Sequence, residues 1–119
     1  MDDTLRRGVA RSVAWLDRHN GRDQAELTLR ILKVTEEAGE AAGAWIGTIG
    51  QNPRKGVTHT RRDVADELAD VVLTALVAIG SLGFDPGEVL GDCVRKVADR
   101  FDDPEPGPGP TADPTVARG

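Results

Sequence analysis

Four stretches of the chain carry apolar residues at the period of a helix. From Asp3 to His19, Leu5, Val9, Val13 and Leu16 recur at intervals of three and four, and Asn20-Gly21 supplies the stop. A second run opens at Asp23, where Glu26 completes a capping pattern. It extends to about Ile49 along the stripe Leu27, Ile31, Val34, Ala38, Ala41, Trp45 and Ile49. Gly50 to His59 reads GQNPRKGVTH and is punctuated as a loop. Thr60 with Asp63 caps a third run, which Val64, Leu68, Val71, Val72, Ala75, Ile79 and Leu82 carry to Gly83. Asp85-Pro86-Gly87-Glu88 opens a fourth with a cap, a proline at the first helical position and an acid at the third, and it ends near Phe101. The pattern predicts an all-α fold of four main helices.

Leu68 to Leu82, LADVVLTALVAIGSL, is apolar almost all round, as a helix is when a core or an interface surrounds it. One chain of this length can hardly cover every face of such a helix, so a homodimer or higher homo-oligomer is expected to complete the bundle. The small residues Ala38, Gly39, Ala41, Ala42 and Gly43 on the second helix let another backbone or a ligand approach.

The 119 residues suffice for one domain, expected over 1–102. The segment 103–119 holds five of the seven prolines and almost nothing apolar, which predicts disorder. Net charge is −5 and the basic residues are spread along the chain, so no stable nucleic-acid complex is expected, whereas free nucleotides stay open as ligands. The single Cys93 cannot form an intramolecular disulfide, and it reads as a small buried side chain rather than a nucleophile. No apolar run opens the chain, and the longest one is interrupted by Asp70 and Thr74. The expectation is a soluble cytoplasmic protein without a membrane partner.

Chemistry concentrates on two acidic motifs, Glu36-Glu37-Ala38-Gly39-Glu40 on the second helix and Asp66-Glu67-Leu68-Ala69-Asp70 on the third. Residues three apart share a helix face, so Glu37 with Glu40 and Glu67 with Asp70 each present two carboxylates side by side. Such a pair is usually a solvated face with Lys or Arg partners. Here two pairs sit at matching offsets from their apolar stripes, and Asp70, set in an apolar helix, is expected to be buried. Buried acids are paired, protonated or bound to metal, and oxygen ligands suit Mg²⁺. Antiparallel packing of the two helices would bring all four acids to one point.

The combination of E-E-x-x-E (Glu36, Glu37, Glu40) and E-x-x-D (Glu67, Asp70) on consecutive long helices, with 26 residues between Glu40 and Glu67, resembles the MazG-like nucleoside triphosphate pyrophosphohydrolases of the all-α NTP pyrophosphatase superfamily. The likeness covers about residues 5 to 101. It implies a four-helix MazG-like bundle and an Mg²⁺-dependent hydrolase, with Mn²⁺ as a substitute, that cleaves the α,β linkage of a nucleoside triphosphate to give a monophosphate and pyrophosphate. Noncanonical or excess deoxynucleotides are typical substrates. Carried over by position, Glu37, Glu40, Glu67 and Asp70 are the metal ligands, and Glu36 orients water or lies behind them. KVADRF in the fourth helix looks like the family's basic-aromatic ending, which makes Lys96 and Arg100 phosphate contacts. The asparagine often found in that region is not evident.

Lys33, Arg54 and Lys55 join them as candidate phosphate contacts, since cations beside a metal site clamp polyphosphate. Trp15 reads as core, or with His19 and Trp45 as the wall of a base pocket. The two histidines, His19 and His59, are too few for a His-rich zinc site, and no Ser-His-Asp or Cys-His set competes. Two other functions stay open: a phosphoribosyl-ATP pyrophosphohydrolase-like enzyme, and a helical dimer that binds a nucleotide or a partner without turnover.

Overall fold

The computed structural model describes residues 1–102 and forms four helices, α1 (Asp3–Asn20), α2 (Gln24–Thr48), α3 (Arg61–Ser81) and α4 (Pro86–Asp102). The described residues contain no strand. The disorder expected of 103–119 falls outside them. Among the described residues no single helix is long and apolar enough to cross a membrane.

Side-chain caps set where the helices begin. Asp2 accepts from the Leu5 amide at 2.8 Å, and Asp23 accepts from the Glu26 amide at 2.9 Å. Thr60 and Asp63 cap reciprocally, at 3.1 and 2.8 Å, satisfying two of the backbone donors that a helix start leaves free. Asp85 accepts from the Gly87 and Glu88 amides at 2.8 and 3.3 Å. The capping box expected at Asp23 is only half made, because the Glu26 carboxylate accepts instead from Arg30 Nε at 2.6 Å. Gly21, at φ 77°, closes α1 in a backbone region that a side chain would strain.

α2 and α3 pair antiparallel. Arg30 of α2 donates to Ser81 Oγ at the end of α3 at 3.1 Å, and Thr48 of α2 donates to the Thr60 carbonyl that precedes α3 at 3.3 Å. The face of α2 turned inward runs Leu27, Arg30, Val34, Glu37, Ala41, Ala44, Thr48, a spacing of three and four. This face is rotated from the expected stripe: Ile31, Ala38, Trp45 and Ile49 stand outside it and are exposed. Ala41 and Ala44 supply the small contact surface against α3, while the other small residues, Ala38, Gly39, Ala42 and Gly43, are exposed.

α1 lies on the C-terminal half of α3. Val9 is buried against Leu76 and Val77, with Val13 and Leu16 packed beside them. Gly80 permits this approach, because a Cβ there would stand 3.2 Å from a Val13 methyl. α4 leaves the end of α3 with a bend of 116° between the helices and is tied to α1 by an Arg6–Asp85 ion pair of 2.6 Å.

One polar group joins three of these segments. Arg30 is 5% exposed. Its guanidinium donates to Glu26 at 2.6 Å, to Asp17 of α1 at 2.8 Å, to Ser81 of α3 at 3.1 Å and to the Gly21 carbonyl at 2.8 Å. Arg22 adds a bond to Asp17 at 2.8 Å and one to the Ser81 carbonyl at 2.6 Å.

Truncating one partner of a buried ion network strands the others. Arg30→Ala is expected to lower unfolding free energy by about 3–5 kcal/mol in a urea titration, and a loss below about 1 kcal/mol would mean that the network is dispensable. The same bonds hold the Asp17 carboxyl below its usual range, chiefly through Arg30. Its contribution is therefore complete above the ordinary aspartate range and is lost as pH falls through the depressed value. Arg30→Ala should flatten that acid limb of the stability profile.

Candidate metal centre

Antiparallel pairing brings α2 and α3 acids together across the inter-helix seam. Carboxylate oxygens of Glu37, Glu67 and Asp70 all lie within 4.8 Å of one another. Glu37 and Glu67 are half-buried at inward positions; Val34 and Ala41 flank Glu37 along its helix, and Val64 and Val71 flank Glu67. Two facts describe the strain of this arrangement. Glu67 Oε2 is buried without any hydrogen-bond donor. The Glu37 carboxyl is pushed above its usual range, first by burial and then by the charge of Glu40, with Asp70 adding to it and Lys33 opposing.

A buried acceptor without a donor is uncommon in a native fold and calls for a partner. The donor set is three carboxylates with no histidine or thiolate, which suits a hard divalent cation such as Mg²⁺. Mutual distances within 4.8 Å are of the order of the roughly 4.2 Å that spans opposite oxygens around Mg²⁺. The residues present therefore fit a divalent cation.

The other expected site residues are placed as follows. Glu40 is exposed and lies outside the trio, close enough to Glu37 to raise its proton affinity. Glu36 is 61% exposed and stands 3.4 Å from Lys33 Nζ. Lys33 also reaches Glu37 at 3.7 Å and is the cation beside the cluster. Asp70 is exposed rather than buried. The reason is geometric: α2 covers only one side of this half of α3, and Leu68 and Val72 near Asp70 are exposed with it.

The remaining cations sit elsewhere. Arg54 and Lys55 occupy the turn between α2 and α3. The turn folds back along α2, where Lys55 shares a cleft with Gly43, six residues past Glu37 and about 9 Å along the helix at 1.5 Å per residue. Lys96 and Arg100 are exposed on α4 and form no ion pair with a described carboxylate.

Trp15, expected in the core, is 53% exposed. It stacks on His19 with ring centroids 4.1 Å apart, and His19 Nδ1 lies 2.8 Å from the Trp15 carbonyl. The burial expected of α1 is met by Val9, one and a half turns earlier. The cleft beside Trp15, about 520 Å³, is lined by α1 alone. Trp45 belongs to α2 and lies under the Arg61 guanidinium at 5.7 Å. Cys93, expected to be buried, is exposed, because no described residue covers the α4 surface that carries it.

Arg30 is a structural residue that the sequence pattern did not single out. The signal available was its spacing of four from Glu26, which places acid and base on one helix face. Comparison with profiles of known protein families, with curated proteins and with solved structures gives no match.

An elevated Glu37 pKa has a definite sign in stability. The folded state holds that proton more tightly than the unfolded chain, so the contribution is intact below the ordinary glutamate range and is lost as pH rises through the elevated value. Glu37→Gln removes the charge and keeps the shape. In metal-free buffer at neutral pH its melting temperature should exceed that of the parent, and the difference should vanish at acid pH. An unchanged or lower melting temperature would show that the carboxylates do not repel one another as placed.

Proposed function

We propose that the chain is an Mg²⁺-dependent nucleoside triphosphate pyrophosphohydrolase of the MazG-like kind, releasing a nucleoside monophosphate and pyrophosphate. The observation that carries this reading is the meeting of Glu37, Glu67 and Asp70 around a buried Glu67 oxygen that no protein donor reaches. The two acidic motifs supply those residues in the order and helical spacing that the resemblance requires.

In this reading Glu37, Glu67 and Asp70 hold the cation, with Glu40 completing the set when the substrate complex forms. The bound metal neutralises charge on the phosphoryl oxygens and activates water. The chain's own residues do the rest. Lys33, within 3.7 Å of Glu37, is placed to meet a phosphate oxygen at the rim of the cluster. Glu36, paired with Lys33, holds that ammonium on the same side as the acids. The half-buried seam limits the water that reaches Glu37 and Glu67, which strengthens the electrostatic contacts made there. Water adds across the α,β anhydride, the P–O bond breaks, and pyrophosphate leaves.

The same reading includes a homodimer. Among the described residues twenty large apolar side chains are exposed, from Leu29, Ile31 and Leu32 on α2 through Leu68, Val72 and Leu73 on α3 to Leu90, Val94, Val97 and Phe101 on α4. Six apolar residues are buried. The radius of gyration, 19.9 Å, exceeds the roughly 13 Å of a compact hundred-residue domain. Extended helices with uncovered apolar faces are what one subunit of an intertwined assembly looks like.

Two measurements test these statements. Incubation with a panel of nucleoside triphosphates and phosphoribosyl-ATP should release pyrophosphate only when Mg²⁺ or Mn²⁺ is present. Glu67→Gln and Asp70→Asn should each lose at least about a hundredfold in rate, on the scale of removing one electrostatic stabiliser, while retaining helical circular dichroism. Full activity in either variant would falsify the site. Light scattering at micromolar concentration should give at least twice the chain mass, and Val94→Asp on the exposed face of α4 should lower it. A monomeric parent protein would remove the dimer from the account.

A further inference from the structure

The turn between α2 and α3 gathers cations without acids in this acidic chain. Residues 51–62 contain Arg54, Lys55, Arg61 and Arg62 and no Asp or Glu. Two of these cations are engaged: Arg62 donates to Asp66 at 2.8 Å, and Arg61 lies over the Trp45 ring. Arg54 and Lys55 pair with no carboxylate among the described residues.

Lys55 borders a cleft of about 200 Å³ on the flank of α2, shared with Gln51, Asn52, Thr58 and His59 and bounded on the helix by Gly43, Ile46 and Gly47. The geometry points to a small-oxyanion site in this cleft, for a phosphate-class ligand, whose lining includes none of Glu37, Glu67 and Asp70.

The polar groups around the cleft are arranged as donors. Asn52 uses its side-chain oxygen to accept from the Arg54 amide at 3.0 Å, and its carbonyl accepts from the Lys55 and Gly56 amides at 3.1 and 2.9 Å. What Asn52 has left is its NH₂ group. Thr58 Oγ1 and His59 Nδ1 are 2.8 Å apart. In the tautomer whose Nδ1 accepts from the hydroxyl, Nε2 carries the ring proton and is free to donate. Lys55 adds an ammonium and Gln51 an amide. No carboxylate lines the cleft.

The scaffold is held in place. The Thr58 amide donates to the Gly47 carbonyl at 2.9 Å, and Gly50 and Gly56 adopt φ of 64° and 67°, the left-handed region that lets the turn close. Gly47 has no room for a side chain, since a Cβ would overlap both Thr58 Oγ1 and His59 Nδ1. That glycine keeps the Thr58–His59 pair against the helix. Donors that line one cleft, with an ammonium that pairs with no carboxylate and no acid in the lining among the described residues, suit a compact oxyanion and disfavour a metal cation.

The site is independent of the metal centre, and its test is run without metal. Full-length protein in EDTA is titrated with inorganic phosphate and with pyrophosphate while backbone amides are followed by heteronuclear NMR, with sodium chloride at matched ionic strength as the control. Saturable shifts confined to Gly47, Lys55, Gly56, Thr58 and His59 are expected. Lys55→Gln should weaken binding roughly tenfold, the size of one charge-assisted hydrogen bond, and Glu67→Gln should leave it unchanged. Adenosine monophosphate forms a second arm: binding tighter than inorganic phosphate assigns the site to a nucleotide's phosphate group, and weaker binding assigns it to the free anion. Shifts no larger than those from chloride, or shifts that survive Lys55→Gln, would overturn the proposal. An inactive metal centre would not bear on it.

Discussion

The buried Arg30 guanidinium is the interaction on which the arrangement depends. A buried cation is costly unless paired and hydrogen-bonded, and Arg30 meets that requirement only when α1, the α1–α2 turn, α2 and the end of α3 are all in place, through Asp17, Gly21, Glu26 and Ser81. A slide of one helix past the other would strand it. The network therefore fixes the register of α2 against α3, and with the register fixed, Glu37 lands across the seam from Glu67 and Asp70. One polar cluster is satisfied and sets the geometry; the other, two turns further along α2, is left unsatisfied. Three carboxylates with a single nearby ammonium is a configuration that an apolar seam would not hold for packing alone.

The second constraint is the shortage of cover. α3 is apolar on more sides than α1 and α2 can reach, and the apolar residues of α4, Val89, Leu90, Val94, Val97 and Phe101, stay exposed among the described residues. The exposed Asp70 follows from the same shortage, since the surface around it, Leu68 and Val72, is also open. In a dimer that covered these residues, Asp70 would become as enclosed as the sequence pattern requires, and the carboxylate cluster would lie next to the interface. The proposed assembly and the proposed metal site are thus linked by one patch of surface.

Much of the fold is legible in the sequence because helix ends are local chemistry. Asp23, Thr60 with Asp63, and Asp85 cap where their side chains say they should, and Gly21 stops α1. The acidic motifs are legible for a similar reason, since spacing of three on a helix decides which side chains are neighbours. What spacing cannot give is which way a helix is turned toward its partner. The stripe through Ile31 and Trp45 is the more hydrophobic choice for α2, yet the inward face passes through Arg30 and Glu37, because ion pairing and small alanines at the contact outweigh a few larger apolar residues there. Trp15 was misplaced by the same reasoning: its ring finds His19 within its own helix and needs no core.

The central claim is that Glu37, Glu67 and Asp70 bind a divalent cation. Its most direct test is diffraction from crystals of the full chain grown with Mn²⁺, recorded where the metal scatters anomalously. The account requires an anomalous peak among the three carboxylates, within bonding distance of the Glu67 oxygen that now has no donor. A map with no peak there, and with Glu67 instead bonded to a side chain or a water, would contradict it.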